Sequence, residues 1–207
     1  MIRNYFFLGL LFFSSFVFSQ SNWKKFKKLS SPKKIWVLFH PFKAKKALLI
    51  SKEAYRIADS IKKSPLLDGD ASGGQVDAFR HAFWMASLQQ KIGKNAARSL
   101  GKAHEKENYK NYKKHKMEDG IIPDKIASTM DLFNNNIGLS FTKKGVKTSK
   151  KGLVYRVINA IHAGKLRVLK KDTTSKFLTC DNKPISEEFL KGKWENNKCL
   201  VNSNYKQ

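Results

Sequence analysis

Acidic residues are scarce in this chain, cysteines are scarcer, and a long apolar run occurs once. Against 41 Lys and Arg stand 16 Asp and Glu, a formal net charge of +25 over 207 residues. A field of that sign attracts polyanions: nucleic acid, anionic lipid headgroups, lipopolysaccharide or acidic cell-wall polymers. Nucleic acid has no support from a motif of defined groove geometry. The 2 cysteines have neither a CxxC spacing nor a neighbouring His, which argues against thiol catalysis. No HExxH, GxSxG or phosphate-binding glycine loop is present, which argues against ordinary zincins, serine hydrolases and nucleotide-using enzymes. No internal repeat is seen.

The one long apolar run, Tyr5 to Phe18, follows Arg3 and ends at Val17, Phe18 and Ser19, a plausible cleavage site before Gln20. Residues 1–19 therefore read as a signal peptide. The run is too short to span a bilayer comfortably, and no lipoprotein cysteine follows it. The mature chain is expected in the periplasm or the medium; an uncleaved anchor is the alternative. Export makes Cys180 and Cys199 a candidate disulfide closing the C-terminal tail. Residues 20–34 form a basic arm in which Trp23 and Phe26 interleave with lysines, either solvated or lying on an anionic surface.

The remaining length suits one domain with a proper core. Its pattern predicts a mainly α fold: a compact helical bundle around a buried central helix hairpin, with a small β-hairpin and a disulfide-closed tail. The helical core is expected over 35–140, and a helix plus small hairpin over 141–207. Ile35 to Pro41 is a short apolar piece ended by its proline. Ala44 to Lys63 has helical spacing, in two pieces if Ser51 is an N-cap. In the loop LLDGDASGG, Asp68, Gly69 and Asp70 lack the ligand spacing and closing Glu of a calcium loop. Ser72 and Gln75 fit a capping box for the next helix.

That helix, GQVDAFRHAFWMASLQQK from Gly74 to Lys91, is apolar on nearly every side, as a buried central helix should be. Asp77, Arg80 and His81 nevertheless sit in it. Buried charges need partners, so the three form either an internal ion-pair network or an active site. After a tight turn at Ile92 to Asn95, a second helix carries His104 and Glu105. Counting from Gly93 along two antiparallel helices brings His81 and His104 to one height, Asp77 level with Asn108 or Tyr109, and Trp84 level with Lys102, next to Gly101 where a bulky ring could approach the backbone. A third helix, Pro123 to Gly138, adds Asp131, with Asn134 and Asn135 either bracing its end or orienting Asp131 and the histidines. Downstream, Leu153 to His162 is a further helix stopped at Gly164, and Leu166 to Lys170 pairs with Phe177 to Cys180 in the expected hairpin.

The segments GGQVDAFRHAFWMA, GKAHEKEN and STMDLFNNNIG resemble a family of bacterial domains marked by D-A-x-R-H-A-x-W, H-E and D-x-x-N-N-x-x-G, over about Trp36 to Gly138. The resemblance implies a helical domain and a shared polar cluster of Asp77, Arg80, His81, Trp84, His104, Glu105, Asp131, Asn134, Asn135 and Gly138. It implies no particular reaction.

Two chemistries fit the residues. A divalent metal such as zinc takes three protein ligands and an open position, which His81, His104 and Asp77 or Asp131 could supply with Glu105 as general base. Without metal, a His beside a carboxylate activates water while Arg80 stabilises an anionic transition state. Both suit a hydrolase of phosphodiester, phospholipid or another anionic envelope polymer. The alternative is a non-catalytic envelope-binding protein whose polar cluster is structural. Oligomeric state is not readable from the sequence.

Overall fold

The computed structural model describes residues 20–117 and 121–205; the expected signal peptide, residues 1–19, lies outside them. The fold is mainly helical, as its sequence predicts. One short unit ends at Ser30, and Ser31–Gln207 forms a second. In the first, residues 20–27 of the expected basic arm form a helix, α1 (Gln20–Lys27), with Trp23 stacked on Phe26; the arm's last residues, 31–34, belong to the second unit.

The large unit opens with α2 (Ser31–Phe39) and α3 (Pro41–Lys62). Pro41 stands at the first turn of α3, where a proline nitrogen loses no hydrogen bond. The break expected near Ser51 is absent. Ser51 is no N-cap: its hydroxyl donates to the Ala47 carbonyl one turn back and accepts from Trp84 Nε1 at 2.8 Å. Trp36, buried on α2, donates from Nε1 to the Ala96 carbonyl and Ser99 Oγ.

The central helix is α4 (Gln75–Ile92). Ala78, Phe79, Ala82, Met85, Ala86 and Leu88 on it are fully buried, so it contributes to both core clusters. Its N-terminus is not closed by the Ser72–Gln75 box. Asp68 reaches forward instead, and its carboxylate accepts from the Gln75 N–H at 2.7 Å. A carboxylate satisfies both the orphan N–H and the helix dipole there, which frees the Gln75 side chain to donate to the Ser203 carbonyl.

Gly93 alone connects α4 to α5 (Lys94–Lys113); its φ of +88° is the left-handed conformation that glycine adopts without strain. Next comes α6 (Lys125–Gly138). It starts two residues later than the expected first position at Pro123, because Asp124 caps it, its side chain accepting from the Ala127 N–H. After α7 (Lys150–His162), capped by Ser149, the chain forms β1 (Arg167–Leu169), the single turn α8 (Glu187–Leu190) and β2 (Leu200–Asn202).

A turn does bring Phe177 back to Lys171 as an isolated antiparallel bridge. The two-stranded sheet, however, pairs β1 with β2, Val168 opposite Val201. Hairpin partners in a short polar segment are weakly specified by pattern, and the Cys180–Cys199 disulfide holds the distant strand in place. Among the described residues no helix is long and apolar enough to cross a membrane.

Candidate metal centre

Helices α4 and α6 pack against each other through Gly138. A Cβ there would lie 2.3 Å from the Ala82 carbonyl oxygen and 2.7 Å from Ala82 Cα. Gly138 was expected as a helix stop, and α6 does end at it; the contact shows a second need, backbone against backbone. That approach brings Asp131 and Asn135 of α6 to Asp77 and His81 of α4.

His81 Nε2 lies 3.3 Å from Asp131 Oδ1 and 3.5 Å from Asp77 Oδ1. On its other side, Nδ1 is 3.3 Å from Asn135 Oδ1. The Nε2 distances would suit ion pairs if the ring were charged. It is not: burial, then the Arg80 and His104 charges, holds its pKa well below the ordinary 6.5. A neutral imidazole has one N–H, and the Asn135 carbonyl draws it to Nδ1. The Nε2 lone pair therefore faces two carboxylates. Each of the three groups offers a ligand atom, all within 4.8 Å of one another, which is a donor set that favours a cation between its members. The Asn135 bond to the remote ring nitrogen is the usual support of a metal-binding histidine.

Asp77 has further work. Its Oδ1 accepts from Arg80 at 2.6 Å and its Oδ2 from the Gly73 N–H at 2.8 Å. Asp77 and Asp131 line a cleft of about 50 Å³, which has room for a few waters or one small polar group. Arg80, Asn108 and Ser128 line it too. Asn108 and Ser128 are buried, and Asn108 Oδ1 and Ser128 Oγ have no hydrogen-bond partner among the described residues.

Of the four expected ligands, Asp77, His81 and Asp131 come together and His104 stands aside. The height count holds for the rings, whose centroids are 6.0 Å apart, but His104 turns Nδ1 towards Glu107 Oε2 at 3.7 Å. Glu105 is buried and accepts from Asn108 Nδ2, so it touches the cleft through Asn108. The atoms nearest a Cβ built at Gly101 belong to Asn135 and Met85, and the Trp84 indole meets His104 edge-on. The asparagines divide the alternatives between them. Asn135 turns in to His81, while Asn134 exchanges two hydrogen bonds of 2.9 Å with the Arg167 backbone and braces β1.

Sequence reasoning missed Ser128 and the tail. Leu169, Phe177 and Lys198 form part of the cleft wall. Phe177 has Lys198 Nζ at 3.8 Å and Lys171 Nζ at 4.8 Å from its ring centroid. Lys198 pairs with Asp124 and Lys171 with Asp70, both lysines buried. Buried Lys demands such partners, but in a chain this rich in Lys nothing marks which ones go inside.

The expected resemblance is matched by a family model described as a domain of unknown function, DUF6973, over residues 34–165. No curated protein and no solved structure matches the chain. The part of the cleft wall built by Leu169, Phe177 and Lys198 lies beyond the matched region.

Proposed function

We propose, for a chain that belongs to the DUF6973 family, an exported hydrolase that cleaves an anionic ester at a divalent cation held by Asp77, His81 and Asp131. One observation carries the reading: two carboxylates and a neutral imidazole offer their ligand atoms to one point, and both carboxylates open on a cleft. A divalent metal such as zinc would polarise the ester oxygen and lower the pKa of water there. Arg80 adds a positive charge for a phosphoryl or carboxyl oxygen. Asn108 Oδ1 can hold the attacking water as acceptor and Ser128 Oγ an ester oxygen as donor. Because the cleft admits only a small group, the substrate would insert its scissile phosphate or ester and leave the rest outside. The positive field gathers phosphodiester, phospholipid or other acidic envelope polymers.

The Arg80 and Gly73 bonds to Asp77 favour a second reading, a structural lock in a non-catalytic envelope-binding protein, since they would hold the cluster together without metal. Metal analysis, with product assays on phosphodiester, phospholipid and peptidoglycan, separates the two. The hydrolase retains about one divalent ion per chain, and Asp131→Asn loses the ion and about a hundredfold or more of activity. A stable protein with neither ion nor product would leave only the lock.

A further inference from the structure

The first 52 residues contain no Asp or Glu; the first acidic residue is Glu53. Within α2 and the first half of α3 this leaves Lys33, Lys34, Lys43, Lys45 and Lys46 without an acidic neighbour in sequence; in space, Lys33 pairs with Glu107 of α5. The same stretch carries the two most exposed aromatic side chains among the described residues, Phe39 at 79 % and Phe42 at 89 %, with Leu38 at 68 % beside them. Helical spacing sets Ile35, Leu38 and Phe39 on the outer face of α2, while Trp36 packs inward. On α3, Phe42 and Leu49 are seven apart on its outer face, with exposed Lys45 and Lys46 between them, while Ala47 and Ile50 face the core. Only His40 separates the helices, so Phe39 and Phe42 flank the same junction. Leaving two Phe rings and two Leu in water is unfavourable, and burying them would relieve that cost.

We infer that this corner docks on an anionic lipid bilayer, with Leu38, Phe39 and Phe42 entering the headgroup boundary and Lys34, Lys43, Lys45 and Lys46 bound to lipid phosphates. Charge selects this occupant. A second copy would bring one lysine-rich corner against another, to which α2 and the first half of α3 contribute no acidic residue, and like charges repel. A polysaccharide or nucleic acid would use the lysines but offers no apolar layer for Phe39 and Phe42. Interfacial segments combine basic residues with Phe and Leu in this way. The inference does not depend on the proposed hydrolysis.

The test uses the exported form beginning at Gln20, which keeps both core clusters because every member lies beyond Ser30. Sedimentation with phosphatidylglycerol–phosphatidylcholine vesicles is compared for this form, Phe39→Ser/Phe42→Ser and Lys45→Glu/Lys46→Glu, each with an unchanged melting temperature. Both double variants should partition about tenfold less or weaker still, and the parent should be released by salt and ignore pure phosphatidylcholine. Equal partition of the serine variant overturns the inference. So does loss of self-association by that variant with vesicle binding intact, which would give the face to a second copy.

Discussion

Burial holds the His81 ring neutral below its ordinary pKa of 6.5, and acidification of the protein should expose that. Above pH 6.5 neither the folded nor the unfolded state protonates this ring. Below it the unfolded chain takes up a proton that the folded chain refuses, so stability falls with pH until the lowered folded pKa is reached. The slope in that window approaches about 1.4 kcal/mol per pH unit for one group. Chemical denaturation of chelator-treated protein should therefore give a stability that declines below pH 6.5, less steeply in His81→Gln. Parallel profiles would mean that the ring takes up its proton alike in the folded and unfolded states. That His81 and Asp77 share a face was legible from their spacing of four, and the height of His104 from counting along two helices. The direction of the His104 ring was not, because Glu107 and Trp84 fix it through contacts that no periodicity encodes.

At the level of helices, α4 was legible because a long apolar pattern interrupted by three charged or polar groups has few interpretations. Its neighbours were read less well at their ends. The pattern Ser72–Gln75 had the right spacing for a cap, but Asp68 supplies a full carboxylate to the same N–H groups and displaces it. Close approach of backbones leaves no hydrophobic signature either, so Gly138 looked like a terminator. It does end α6, and its contact with Ala82 also sets α4 against α6. Gly138→Ala places a methyl group against main chain that cannot rotate away, and should cost about 1–3 kcal/mol or more. A melting curve would show it as a fall of about 2–4 °C for each kcal/mol. Gly101→Ala is the control: its methyl would meet the ends of Asn135 and Met85 at 3.2 and 3.4 Å, which can shift, so its loss should be smaller. Equal losses would show that α6 moves freely relative to α4.

For the whole molecule, the tail was read as a structural closure, and the disulfide was foreseen from export and proximity in sequence. Its relation to the site was invisible, since the lysines involved lie far along the chain from their acids. Lys171 binds Asp70, just before α4, and Lys198 binds Asp124, the cap of α6. These are the starts of the two helices that deliver Asp77 and Asp131. Both ammonium groups lie over the Phe177 ring, and Cys199 follows Lys198 directly, tied to Cys180 at a separation of 19 residues. Closing a loop of that size stabilises by roughly 3 kcal/mol in the chain-entropy description. Cys180→Ser/Cys199→Ser should lower the melting temperature accordingly. Because the same tail holds the two helix starts, the variant should also bind divalent cation more weakly than the parent at temperatures where both are folded. A melting loss with unaltered cation affinity would place the control of ligand spacing in the Gly138–Ala82 contact alone.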